Sequence, residues 1–211
     1  MLIEKNSNSL RCVATDGHRL AMNHFELDQT ATGPESQVIV PRKGVLELQR
    51  LLSDSEEDVV LALGASHLRL SVGAYQLTTK LVDGRFPDYE RVIPRNGDKQ
   101  ILANKQDLRR ALNRTAILSN EKFRGIRVNF SDGLVTLTTN NPEQEDAEET
   151  VPIEYTGAAL EIGFNVGYLL DVLNVIRGET VKITVFDGNS SALIEDPSVD
   201  SALYVIMPMK L

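Results

Sequence analysis

The stretch Leu160-Glu161-Ile162-Gly163-Phe164, followed at once by Val166–Ile176, decides the fold. Its first five residues alternate in the manner of a half-buried strand. Leu169, Leu170, Leu173 and Ile176 then recur at helical spacing. Strand-like runs follow at Val181–Phe186 and Ser191–Ile194, divided by an Asp187-Gly188-Asn189 turn. The same order occurs earlier in the chain. Val38-Ile39-Val40-Pro41 leads into a helix over Arg42–Leu52, whose apolar spacing is set by Val45, Leu46, Leu48 and Leu52. Strands at Val59–Leu63 and His67–Val72 flank a Gly64-Ala65-Ser66 turn. Each copy closes on one more strand, Tyr75–Lys80 and Leu203–Met207. Antiparallel strands that share a core with few helices define an α+β chain built by duplication.

Upstream, the two copies agree and then diverge. The second is preceded by a helix, Gln106–Leu118, and a hairpin of Ile126–Phe130 and Leu134–Thr139 around Ser131-Asp132-Gly133. The first has only the hairpin, Met1–Glu4 and Leu10–Ala14 around Asn6-Ser7-Asn8. Its leading helix is missing, so the chain is expected to begin inside a repeat and to leave part of a sheet face uncovered. The segment Asp83–Pro94, rich in Pro, Gly and charge, is the expected linker, giving domains over 1–88 and 89–211.

Composition bounds the function. With 211 residues, 42% hydrophobic and 25% charged, the chain is globular and long enough for two domains. A single cysteine, Cys12, excludes an internal disulfide and suits a reducing, cytoplasmic compartment. No apolar run reaches the roughly 20 residues of a membrane span, so no membrane partner is expected. A net charge of −8 argues against a protein that coats nucleic acid, though not against a local basic face. Asp16 and His18 have the look of a catalytic pair. They flank Gly17, however, and Asp-x-His about a glycine is turn chemistry more often than catalysis. With no nucleophile beside them, no catalytic residue, cofactor or metal is expected.

Three motifs carry a family resemblance: Val13-Ala14-Thr15-Asp16-Gly17-His18-Arg19-Leu20-Ala21, Lys80-Leu81-Val82-Asp83-Gly84-Arg85-Phe86-Pro87-Asp88-Tyr89 and Ile117-Leu118-Ser119-Asn120-Glu121-Lys122-Phe123-Arg124-Gly125. With the C-terminal Met207-Pro208-Met209-Lys210-Leu211, the chain strongly resembles the bacterial DNA polymerase III beta subunit, the sliding clamp. The likeness spans the back of that family's second domain and all of its third. It implies a DNA clamp fold, with duplicated helix-plus-sheet domains and helices on the inner face around duplex DNA. It also implies a processivity factor without chemistry of its own, which tethers the polymerase III alpha subunit, the clamp loader and other polymerases by short hydrophobic peptides. A partner-peptide module that does not encircle DNA is the alternative.

The resemblance assigns the peptide site residue by residue. Thr15, Gly17, His18, Arg19 and Leu20 form one wall, and Pro87, Arg91 and Val92 the linker side. Asn165, Tyr168 and Ser191 come from the third domain, and Val205, Met207, Pro208, Met209, Lys210 and Leu211 from the terminal strand. Lys210 stands where many relatives have Arg, which keeps the charge and loses the planar fork. The residues alone support a trough of Leu20, Val92, Val205, Met207 and Met209. A Met-Pro-Met tail is a soft, adaptable apolar surface, and each buried Leu or Phe of a peptide would contribute roughly 1.5–3 kcal/mol.

Local basic character lies on two helices. Lys105, Arg109, Arg110 and Arg114 oppose only Asp107, while Arg42, Lys43 and Arg50 oppose Glu47. In a clamp these cations touch phosphates without reading sequence, and the acidic stretches Ser53–Asp58 and Glu143–Glu149 are expected to lie away from DNA. Ile117 and Leu118 match the family's ring-closing contact. Its other half sits on the family's first domain, which this chain lacks, so self-association into the usual dimeric ring is not expected of it; a monomer is favoured, with a three-copy ring as the alternative.

Overall fold

The computed structural model describes residues 1–27, 33–53, 55–95 and 97–210. They fall into two compact units, Met1–Thr15 with Met22–Asp88, and Asp16–Ala21 with Tyr89–Leu211. The elements begin with β1 (Leu2–Lys5), β2 (Ser9–Thr15), β3 (Arg19–Glu26), β4 (Ser36–Ile39), α1 (Arg42–Leu52), β5 (Val59–Leu63), β6 (His67–Val72) and β7 (Tyr75–Lys80). Then come β8 (Lys99–Asn104), α2 (Lys105–Ala116), β9 (Gly125–Ser131), β10 (Leu134–Asn140), β11 (Asp146–Glu154), β12 (Leu160–Asn165), α3 (Val166–Val175), β13 (Thr180–Val185), β14 (Ala192–Glu195) and β15 (Ala202–Ile206).

In the second unit two antiparallel ladders, β12-β9-β10-β11 and β8-β13-β14-β15, are joined where the end of β11 pairs with β8. Register keeps apolar residues opposite one another: Ile162 faces Val128, Val128 faces Leu137, and Ile183 faces both Ile101 and Ile194. Because side chains alternate along a strand, this register sends all of them into one core. Two helices bring Leu108, Ala111 and Leu112, and Val166, Leu169, Val172 and Leu173, to the same core. Each helix starts on an asparagine. The Asn104 side chain accepts from the Gln106 and Asp107 amides, and Asn165 from the Gly167 and Tyr168 amides, which satisfies donors a helix start leaves open.

The first unit repeats this plan with fewer parts. Its ladders are β3-β2-β1-β4 and β5-β6-β7. Matched in order, β1–β4, α1 and β5–β7 correspond to β9–β12, α3 and β13–β15. Among its described residues nothing corresponds to β8 or α2. The duplication read from sequence is therefore present, and the first copy lacks a strand as well as the expected helix. Its core is small: Ile3, Val40, Leu48, Leu68, Leu70 and Val72. Helix α1 starts on Pro41 with no side-chain cap. It approaches β7 so closely that a Cβ on Gly44 would lie 2.7 Å from Thr79 Oγ1, which is why glycine suits that position.

Three strands escape a sequence reading. β3 and β8 were covered by no expected element, and β11 lies in what reads as an acidic, solvated stretch. In β11 only alternate residues turn inward, Ala147, Glu149, Val151 and Ile153, and two acidic neighbours hide that period. Helix α2 ends at Ala116 instead of Leu118. The amides of Ile117 and Leu118 bond to Arg114 and Thr115 carbonyls three residues back, a tightened final turn.

Candidate functional site

The site of the second unit starts from a turn. Gly17 takes φ +89°, a conformation that suits glycine. Asp16 Oδ1 accepts from the His18 and Arg19 amides at 3.0 and 3.1 Å, and Oδ2 from Arg19 Nε at 3.0 Å. Burial pushes the Asp16 carboxyl up, but these bonds outweigh it and hold the group below its ordinary range. Asp16 thus builds the turn, as the sequence reading held, and makes no bond to the His18 ring among those described. Arg19 then reaches α3. Its Nη1 lies 2.5 Å from Asp171 Oδ2 and its guanidinium 4.3 Å from the Tyr168 ring centre. Asp171 is a residue that sequence reasoning missed; nothing local marks a partner 152 positions away.

The terminal tail is tied down at two points. Met207 N–H donates to the His18 carbonyl and Met209 N–H to the Gly163 carbonyl, both at 2.9 Å. The tail therefore runs from the turn, past α3, to β12. Asn165 and Tyr168 lie at the start of α3 beside it, and the register Ala192 opposite Ile206 sets Ser191 level with Met207. Met207 is 37% exposed and Val92 38%. Pro208 and Met209 are half-buried, Lys210 and Arg91 exposed, and Leu211 lies outside the described residues. The expected trough needs one correction. Leu20 and Val205 are already buried, at 5% and 2% exposure, because both join the packed interior. They therefore add little exposed apolar area. Thr15 and Pro87 belong to the first unit, and both are exposed.

The cations divide. Lys105 Nζ donates to the Ile176 carbonyl at 3.0 Å and the Arg177 carbonyl at 3.4 Å, filling acceptors that the end of α3 leaves open. Arg114 forms a two-pronged bond to Glu149, with Nε at 2.5 Å and Nη2 at 2.8 Å. Glu149 therefore faces α2, and β11 packs beside that helix. Arg110 sits 4.0 Å from Asp107. Arg42, Lys43 and Arg50 are exposed on α1, and Arg109 is half-buried on α2. Ile117 is 77% exposed, far above the usual for isoleucine, while Leu118 is half-buried.

Comparison with known proteins agrees along the whole chain. The model of the DNA polymerase III beta subunit central domain matches residues 1–88, and that of its C-terminal domain residues 90–210. The beta sliding clamp of Pseudomonas aeruginosa is 56% identical over all 211 residues, which cover 57% of that relative. That of Escherichia coli K12 is 50% identical over the same share. A crystal structure of the Pseudomonas aeruginosa clamp with ligand superposes with a TM-score of 0.96 at 56% identity, covering 100% of this chain and 57% of that one. Another from the same organism, bound to griselimycin, gives 0.95 at 55%, with the same coverage. The chain thus spans 57% of the length of these relatives. The repeated helix-on-sheet plan is that of the sliding clamps. The chain belongs to the DNA polymerase III beta subunit family.

Proposed function

We propose that this chain is the partner-binding part of a cytoplasmic DNA sliding clamp. It tethers the polymerase III alpha subunit, other polymerases and the clamp loader by capturing a short hydrophobic peptide, and it performs no reaction itself. One observation carries this reading: an apolar tail held by main-chain bonds at Met207 and Met209 while the Met207 side chain stays 37% exposed. Such a tail offers apolar area without having to order itself on binding, which lowers the cost of association. Gly17, His18, Arg19, Leu20, Arg91, Val92, Asn165, Tyr168, Ser191, Val205, Met207, Pro208, Met209 and Lys210 build this surface, with Thr15, Pro87 and Leu211 assigned to it by family likeness. A peptide with two leucines and a phenylalanine should bind with a Kd of about 1–10 μM in calorimetry. Deleting Met207–Leu211 should abolish binding; unchanged affinity would move the site elsewhere.

In the full protein, the cationic helices face duplex DNA without reading its sequence, and exposed Ile117 with Leu118 forms a subunit contact. Arg42, Lys43, Arg50, Arg109 and Arg110 are the better phosphate partners, because Lys105 and Arg114 already serve carbonyls and a carboxylate. That internal use, with the 57% span, favours the second reading for the chain in isolation, a peptide module that does not encircle DNA. Native mass measurement with circular DNA separates them: a complex retained on closed circles and lost on linearisation supports encirclement.

A further inference from the structure

A cavity of about 420 Å³ opens in the second unit beside the tail, and of its lining only Met209 and Lys210 have a role assigned above. Met209 and Lys210 form its boundary with the peptide site, and its other walls include Phe123, Arg127, Thr138 and Asn140. Its chemistry differs from that of the trough. Phe123 and Met209 give it an apolar floor, and Phe123 is 57% exposed. Arg127 and Lys210 place two cations on its rim, and Lys122 Nζ adds a third charge 5.2 Å from the Phe123 ring centre. Glu161 answers them weakly: Arg127 Nη1 lies 3.6 Å from its Oε1, and both side chains are about half exposed. A guanidinium has five donors, so Arg127 can hold Glu161 through one nitrogen and present the others. A local cationic cavity on a chain of net charge −8 selects for negative charge by contrast with its surroundings.

We propose that this cavity takes an acidic side chain flanking the apolar anchors of a partner peptide, with Arg127 and Lys210 as its cation partners. The inference rests on the peptide-site reading, since Met209 and Lys210 are shared by both surfaces and a peptide crossing the tail passes from one to the other. A cavity of this size accepts one or two side chains. It offers a single aromatic face, whereas single-stranded nucleic acid needs successive stacking platforms.

Two labelled peptides with the same apolar anchors test this on the intact chain by fluorescence anisotropy, one flanked by Asp and Glu, the other by Asn and Gln. The acidic form should bind about fivefold tighter at low salt, as a rim ion pair allows, and the advantage should shrink at high salt. Arg127→Gln should remove most of the difference while leaving the neutral-flanked peptide unchanged; Lys210→Gln should reduce it too. Equal affinities for the two peptides, or an Arg127→Gln loss shared equally by both, would overturn the cavity assignment while leaving the peptide site intact. Failure of both peptides to bind would instead remove the peptide-site reading, and the cavity proposal with it. A single-stranded oligonucleotide that displaces the acidic peptide through Arg127, at lower concentration than the neutral peptide requires, would reassign the cavity to nucleic acid.

Discussion

Strand β13 and strand β5 hold the same place in the two copies of one plan, yet they live in different surroundings. In β13, Val181 is fully buried, and the strand has β8 on one side and β14 on the other. In β5, Val60 is 66% exposed and Val59 43%, and among the described residues only β6 pairs with the strand. Both strands carry valine near their start, so propensity at these positions does not separate them. Val60 turns to the face opposite Leu61 and Leu63, so its exposure follows from the pleat. Val59 shares their inward face, and there the difference comes from the neighbours: the second unit supplies β8 and α2, and the described part of the first has no such pieces. A strand's contribution is a property of what covers it. An apolar edge without cover is also a template for pairing with another chain.

The strongest test of this contrast places a charge on the inward face near the start of each strand. Val181→Asp should cost the second unit more than about 3 kcal/mol, because an unpaired carboxylate would sit in a closed core. Val59→Asp, on the corresponding face of β5 and 43% exposed, should cost under about 1 kcal/mol and should lower aggregation. Denaturant unfolding followed by regional hydrogen exchange reads both units at once. Similar costs at the two sites would break the comparison.

Helix packing gives a smaller effect with the units reversed. Gly44→Ala should destabilise the first unit by about 1–3 kcal/mol, since the new methyl meets a stiff threonine and helix propensity returns only part of the loss. A gain in stability would mean that α1 lifts off β7 at little cost. Smaller again, Asn165→Ala should take about 1 kcal/mol from the second unit by removing the cap of α3. The first unit has no equivalent cap to lose at Pro41, so an effect on its exchange rates would show that the units are coupled.

The smallest contrast is one of pH. Asp196 is buried, which raises its carboxyl, but bonds from the Ser198 hydroxyl and the Gly178 and Ser198 amides outweigh that and hold it below the usual range. The unfolded chain therefore binds the proton more readily. The stabilisation is complete above the ordinary aspartate value near about 3.9 and fades as pH falls through the lower folded value. Stability of the second unit should drop in that acid window, and Asp196→Asn should flatten the drop. An unaltered acid profile in that variant would assign the loss to other carboxylates.

Much of the site was legible because its parts are local. Asp16-Gly17-His18 announces a tight turn, and Met207-Pro208-Met209 announces an apolar tail that cannot hang free. The Arg19 link to Tyr168 and Asp171 was not legible, since no local pattern marks a pairing so distant in sequence. The cations proposed to face DNA were half legible: sequence counts Lys105 and Arg114 as available charges. Only the folded chain shows one spent on helix-end carbonyls and the other on Glu149, which arrives on the overlooked strand β11.

The amino-acid sequence by itself determined the duplication, the α+β class and the apolar character of the tail. Each of these follows from periodicity and turn chemistry over a few residues. Tertiary structure alone decided which apolar residues remain exposed, that Leu20 and Val205 are buried, and that a cationic cavity borders Met209. Burial and charge pairing depend on strands brought together from distant parts of the chain, and no local period encodes those neighbours.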